Sequence, residues 1–180
     1  NRNGANALLK TLEEPPGSSI MFLINHGSKS ILPTIRSRCR TLRLKRLSDE
    51  DTAAVLKSVD APKESLGLAR GRPGLGIRLS SQAGLQAANA ARAMLRGMPK
   101  PNDALLTAAL QVANVDAVAM EAFNSEVLGW LADKADNNPA AADAWLRTSR
   151  LLGEADELNM EASQTAAKVI AGLYSVVGQG

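Results

Sequence analysis

The sequence predicts a mainly α-helical protein with a short mixed α/β stretch at its start. Three observations carry that expectation. Hydrophobic residues make up 45% of the 180 residues while aromatics make up 3%. The core is therefore built from Leu, Ala, Val, Ile and Met, a set that favours packed helices over a β-sandwich. Beyond Ser48, apolar residues recur at three- and four-residue spacing between Ser, Asn, Pro and Gly punctuation, which is helical periodicity. Strand-like patterns are confined to the first 47 residues.

Taken in order, the first element is a helix. Asn3 can cap it, Ala5, Leu8, Leu9 and Leu12 form one stripe, and Pro15-Pro16 ends it after Glu13 and Glu14. The apolar run Ile20 to Ile24 reads as a buried strand. It leads through Asn25-His26-Gly27 to a short helical turn, Ser28 to Leu32, ending at Pro33. After Thr34-Ile35-Arg36-Ser37-Arg38-Cys39, the segment Arg40 to Lys45 alternates polar and apolar. It reads as a half-exposed strand with Leu42, Leu44 and Leu47 inward and Arg43 and Lys45 outward.

Ser48 then caps a helix to about Val59, with Asp49, Glu50 and Asp51 in its first turn and Ala53, Val55, Leu56 and Val59 on its buried side. Pro62 starts a second helix running to Arg70. The cluster Gly71-Arg72-Pro73-Gly74-Leu75-Gly76 lacks the Gly-Lys-Ser/Thr ending of a phosphate loop and follows a helix, so Gly71 ends one helix and Pro73 begins the next. Five longer helices follow. They cover Gln82 to Arg96, Asn102 to Ala113, Asp116 to about Ala135, Pro139 to about Leu152, and Asp156 or Asn159 to Val177. Leu85, Leu105, Phe123, Val127, Ile170 and Tyr174 are among their apolar positions. Alanine-lined helices approach closely and suit a compact bundle. Trp130 and Trp145 are interface anchors or core residues, and large aromatics are more often core.

Composition narrows function. Net charge is +3 and the pI is about 9.2, a mild basicity that permits contact with nucleic-acid phosphate without demanding it. Cys39 is the one cysteine, which excludes an internal disulfide and a cysteine zinc cluster and fits a cytoplasmic protein. No metal site is expected. No apolar run approaches a membrane span, and nothing at the start resembles a signal peptide. The chain enters a motif without preamble at Asn1-Arg2-Asn3 and looks like a fragment. His26, the single histidine, has no paired carboxylate or serine motif and reads as a loop residue.

The chemistry-bearing stretch is Thr34 to Cys39. An arginine at a junction between two strands has a firm base on both sides. Its guanidinium carries a permanent charge and a planar fork that fits phosphate oxygens. An arginine finger needs those properties, because it presents a cation to a transferring phosphoryl group, at times in a neighbouring subunit; the hexapeptide by itself reads more readily as a surface arginine beside a buried cysteine.

The segments Asn6-Ala7-Leu8-Leu9-Lys10-Thr11-Leu12-Glu13-Glu14-Pro15-Pro16 and Thr34 to Cys39 occur in the same order and spacing as in a known family. Together they resemble the later half of the AAA+ ATPase domain in clamp-loader subunits of the bacterial DNA polymerase III and replication factor C kind. The match covers Asn1 to Leu47 closely. The resemblance implies that Arg38 is a trans-acting arginine finger, with Ser37 and Cys39 supporting it. It places either Asn25 or His26 near the sensor 1 position, which feels the γ-phosphate. It makes Lys10 a candidate DNA phosphate contact, against the alternative of a solvated helix lysine. It implies residues 1–47 as the remainder of an AAA+ α/β domain, 48–81 as a small helical lid, and 82–180 as an all-α collar that joins subunits in a ring.

An ATP-binding subunit of this family carries a lid arginine where alignment on Gly71 puts Gly74; Arg72 and Arg78 sit off register. The pattern Gly71-Arg72-Pro73-Gly74 resembles the family's stationary subunit, not its ATP-binding tau/gamma motor. No cofactor is then expected in this chain, with ATP-Mg held in neighbouring subunits. The partners implied are tau/gamma and delta subunits, and through them the sliding clamp and primer-template DNA, with no membrane. Two other readings stand beside this one: a tau/gamma-type motor whose phosphate loop lies upstream, and a structural helical scaffold without phosphate chemistry. A helix-turn-helix reader of DNA is disfavoured, since no helix gathers base-reading arginines on one face.

Overall fold

A computed structural model of the chain describes residues 2–25, 31–98, 100 and 102–177. The chain divides into two compact units, Asn1–Lys45 and Arg46–Gly180.

The first unit holds α1 (Arg2–Glu13) and α2 (Pro33–Arg36). Helix α1 begins before Asn3, so Asn3 lies within it and is not its cap. A last turn closes with the Glu14 amide donating to the Lys10 carbonyl at 3.0 Å, just ahead of the two prolines. Helix α2 starts at Pro33, which takes the first helical position where its missing N–H costs nothing. The turn was expected to end there; residues 28–30 lie outside the described residues.

The α/β expectation for this unit is corrected. No strand occurs among the described residues. Ile20, Phe22 and Ile24 lie in irregular chain at 82%, 84% and 83% exposure, and Leu42 and Leu44 at 82% and 87%. A strand satisfies its backbone only against a second strand and buries its apolar face only under a covering layer. Periodicity marks these segments as fit for a sheet but does not supply the neighbour.

The second unit is helical throughout its regular structure. Helix α3 (Asp49–Ser58) is capped as the sequence predicts: the Ser48 hydroxyl accepts from the Asp51 amide at 3.0 Å. Replacing Ser48 with Ala removes that acceptor and is expected to lower stability by about 1 kcal/mol, read from a urea unfolding midpoint. The buried side of α3 is Thr52 and Leu56; Val55 and Val59, expected inward, are exposed. In a helix of 10 residues the contact face is too narrow to reach all four positions. Helix α4 spans Ser65–Ala69, so Pro62 opens a turn ahead of it and not the helix proper.

Arg70 closes α4 in the left-handed region (φ 46°), followed by Gly71 (φ 75°) and α5 (Pro73–Leu79). A Cβ on Gly71 would stand 2.7 Å from the Leu47 carbonyl and 2.9 Å from the Arg46 Cβ. The Leu47 amide donates to the Gly71 carbonyl at 2.9 Å. The glycine is thus required by φ and by close approach of backbone, as its reading as a helix terminus anticipated.

The longer helices are α6 (Gln82–Arg96), α7 (Asp103–Ala113), α8 (Ala117–Ala135), α9 (Pro139–Glu157) and α10 (Ala162–Val177). Ser81, Asn102, Asp116 and Asn138 each accept an amide of the following first turn. Helix α9 outlasts the expected stop near Leu152, because a lone Gly153 weakens a helix without breaking it; α10 starts correspondingly late. Phe123, Val127 and Leu131 of α8 lie at the centre of the core with Met94, Leu173 and a lining of alanines. Leu68 and Leu79 from the shorter helices join the same core. Trp130 and Trp145 pack half-buried against its edge, while Leu105 and Tyr174 face solvent. Among the described residues no helix is long and apolar enough to cross a membrane.

Candidate functional site

The Ser37-Arg38-Cys39 segment is the continuation of α2. The Ser37 amide donates to the Pro33 carbonyl at 2.9 Å and the Arg38 amide to the Ile35 carbonyl at 3.1 Å, so helical bonding carries into the motif. Ile35 and Cys39 are half-buried, and the Cys39 thiol is free. The Thr34 carbonyl then gathers two side chains. Ser37 Oγ donates to it at 3.1 Å and Arg38 Nη1 at 2.9 Å.

The Arg38 guanidinium also pairs with Glu13 of α1, Nη2 to Oε1 at 2.5 Å. Both groups are open to water, at 38% and 51% side-chain exposure. The arginine is therefore not packed into an apolar interior. An exposed pair of this kind contributes about 0–1 kcal/mol, so the guanidinium exchanges partners at small cost. Glu13 was legible only as a residue near the end of a helix; nothing in its spacing from Arg38 signals the contact.

The other candidates sit apart in chain order. Lys10 is exposed on α1, three residues before Glu13 and thus on the same side of the helix. Asn25 is exposed at the end of the irregular segment. His26 lies outside the described residues. Among the described residues no group of three or more His, Cys, Asp or Glu side chains is placed to hold a metal ion.

In the second unit, Arg46, Arg70, Arg72 and Arg78 line a cleft of about 1330 Å³. Burial, followed by repulsion from Arg46, pushes the Arg72 guanidinium below its ordinary pKa, with Glu121 opposing. Arg78 is neutralised by Glu121 at 2.7 Å. Gly74, at the position where an ATP-binding relative is expected to carry its lid arginine, has open space beside it and no side chain of its own.

Comparison with known proteins bears directly on the first unit. The family described as DNA polymerase III, delta subunit, matches residues 1–48. The DNA polymerase III subunit delta' of Pseudomonas aeruginosa is 59% identical over 39 residues, 22% of this chain and 12% of that protein. The subunit delta' of Escherichia coli K12 is 40% identical over 80 residues, 42% of this chain and 24% of that protein. The DNA polymerase III subunit gamma of Buchnera aphidicola is 47% identical over 58 residues, 32% of this chain and 16% of that protein. The chain thus spans at most 24% of the length of these curated relatives. No solved structure matches it.

These matches make part of the chain, foremost residues 1–48, similar to subunits of DNA polymerase III. Most of the relatives it matches are delta' subunits.

Proposed function

We propose that this chain lends Arg38 in trans to the ATP-Mg site of a neighbouring tau/gamma-type subunit in a cytoplasmic replication clamp loader, and so helps place the sliding clamp on primed DNA. The observation that carries this reading is an exposed guanidinium on a helical turn, inside the segment matched to the delta subunit family. During phosphoryl transfer, negative charge spreads over the transferring group, and a positioned cation offsets it. A finger accelerates hydrolysis by about 10³–10⁵-fold in well-studied cases, about 4–7 kcal/mol. The exposed Glu13 pair, worth about 0–1 kcal/mol, is small beside that transition-state term, so releasing Glu13 costs little of the acceleration.

In this reading Ser37 and Cys39 shape the turn, and Lys10 faces a DNA phosphate. Asn25 or His26 occupies a sensor-like position beside whatever nucleotide the complete protein holds. Residues 1–47 correspond to the later part of the family's ATPase domain. Residues 48–81 act as a lid and 82–180 as the collar that joins delta and tau/gamma in the ring. The test is reconstitution of the full-length protein with those subunits and the clamp. Co-elution, with ATP hydrolysis on primed DNA faster than in the assembly lacking this protein, is expected; an assembly equally active without it would sink the reading.

The gamma relative favours a second reading, that of an ATP-binding motor. Gly74 argues against it. Nucleotide binding by the isolated full-length protein, followed by turnover, would favour the motor.

A further inference from the structure

The two sets of helices in the second unit, α3–α5 and α6–α10, are joined around one buried carboxylate. Glu126, on α8, is 4% exposed. It receives Arg92 of α6 in a bidentate pair, Nε to Oε2 at 3.0 Å and Nη2 to Oε1 at 2.7 Å. It also receives Arg70, from the end of α4, Nη2 to Oε2 at 3.3 Å. Arg92 reaches back across the junction, donating from Nη2 to the Gly67 carbonyl of α4 at 3.2 Å. The short-helix set thus sends an arginine to a bundle carboxylate, and the bundle sends an arginine to a short-helix carbonyl.

Gly129 is cut to fit this arrangement. It lies on α8 one turn after Glu126, and a Cβ there would collide with the Arg70 guanidinium. The Nε of Arg70 is buried without a hydrogen-bond partner, so its charge depends on Glu126. Separating the two sets of helices would leave Glu126 with Arg92 but take Arg70 from this 4%-exposed carboxylate and the Gly67 carbonyl from Arg92; loss of a partner by a buried charge costs more than loss at an exposed pair. Beneath the polar contacts, Leu68 and Leu79 are shared with the bundle core.

We infer that Glu126 locks α3–α5 onto α6–α10, so that the Ser80–Ser81 junction between them is a fixed joint and the whole of 46–177 turns as one lever. Any displacement of α3–α5 is then delivered undamped to the bundle. The inference stands on side-chain geometry and is independent of the role given to Arg38.

The experiment measures the distance between spin labels at Lys63→Cys and Arg150→Cys, both exposed positions, in the full chain carrying Cys39→Ser. A single narrow peak is expected. Gly129→Ala evicts the Arg70 guanidinium while improving helix propensity, and Arg70→Gln removes the charge. Each is expected to abolish the single narrow peak and add longer distances, with helical content by circular dichroism unchanged. A narrow peak at the unaltered distance in both variants overturns the lock. Unfolding of both variants overturns the fixed-joint claim as well, since the cluster would then hold the fold and not the joint.

Discussion

Arg38→Ala, in a clamp loader assembled with the full-length protein, is expected to slow hydrolysis at the receiving ATP site by about 10³-fold or more. DNA-stimulated ATPase and clamp loading by the whole assembly fall with it. Folding should be untouched, because the side chain is exposed and its bonds to Glu13 and Thr34 lie at the surface. Thermal unfolding within error of the parent is the matching control. Arg38→Lys is not expected to restore the rate: a compact ammonium keeps the charge but loses the planar fork that engages two oxygens. Glu13→Gln removes the ion pair and leaves the Thr34 bond, so its turnover should equal or exceed that of the parent. Unchanged ATPase and loading with Arg38→Ala would remove the assignment.

Phe123→Ala should produce the largest loss of stability. Phe123 is the largest fully buried side chain, at 0% exposure in the middle of α8. Half of the other buried residues in that core are alanines, which have no spare length to close the gap. Truncation of a buried Phe costs about 3–5 kcal/mol through lost burial and an unfilled cavity. Chemical unfolding reads this directly. Val115→Ala, at 64% exposure, is expected to change the midpoint by less than about 0.5 kcal/mol. Equal effects at the two positions would contradict the assignment of the core.

The helices of the second unit were legible because their signals are local. Ser48, read as a cap, is one, and Ser81, Asn102, Asp116 and Asn138, at or beside the expected helix starts, cap theirs as well. Boundaries slipped where no strong breaker stands, as between Leu152 and Ala162. The two strand-like runs were misjudged for a different reason. Ile20 to Ile24 and Arg40 to Lys45 have the composition and the period of strands, but a strand is a relation between two segments. The turn bearing Arg38 was legible as a motif; its pairing with Glu13 was not, since it joins elements with no shared periodicity. Glu126 escaped notice likewise. On α8 it reads as one more helix glutamate, and only the fold brings Arg70 and Arg92 to it.

The central claim is that Arg38 meets charge which develops only in the transition state. Trapping of ADP with aluminium fluoride tests it most directly, since that mimic is held by groups that contact the transferring phosphoryl. The assembled complex is expected to retain the mimic. With Arg38→Ala, retention should be lost while affinity for ATP stays near the parent value. Equal retention with and without the guanidinium would contradict the account.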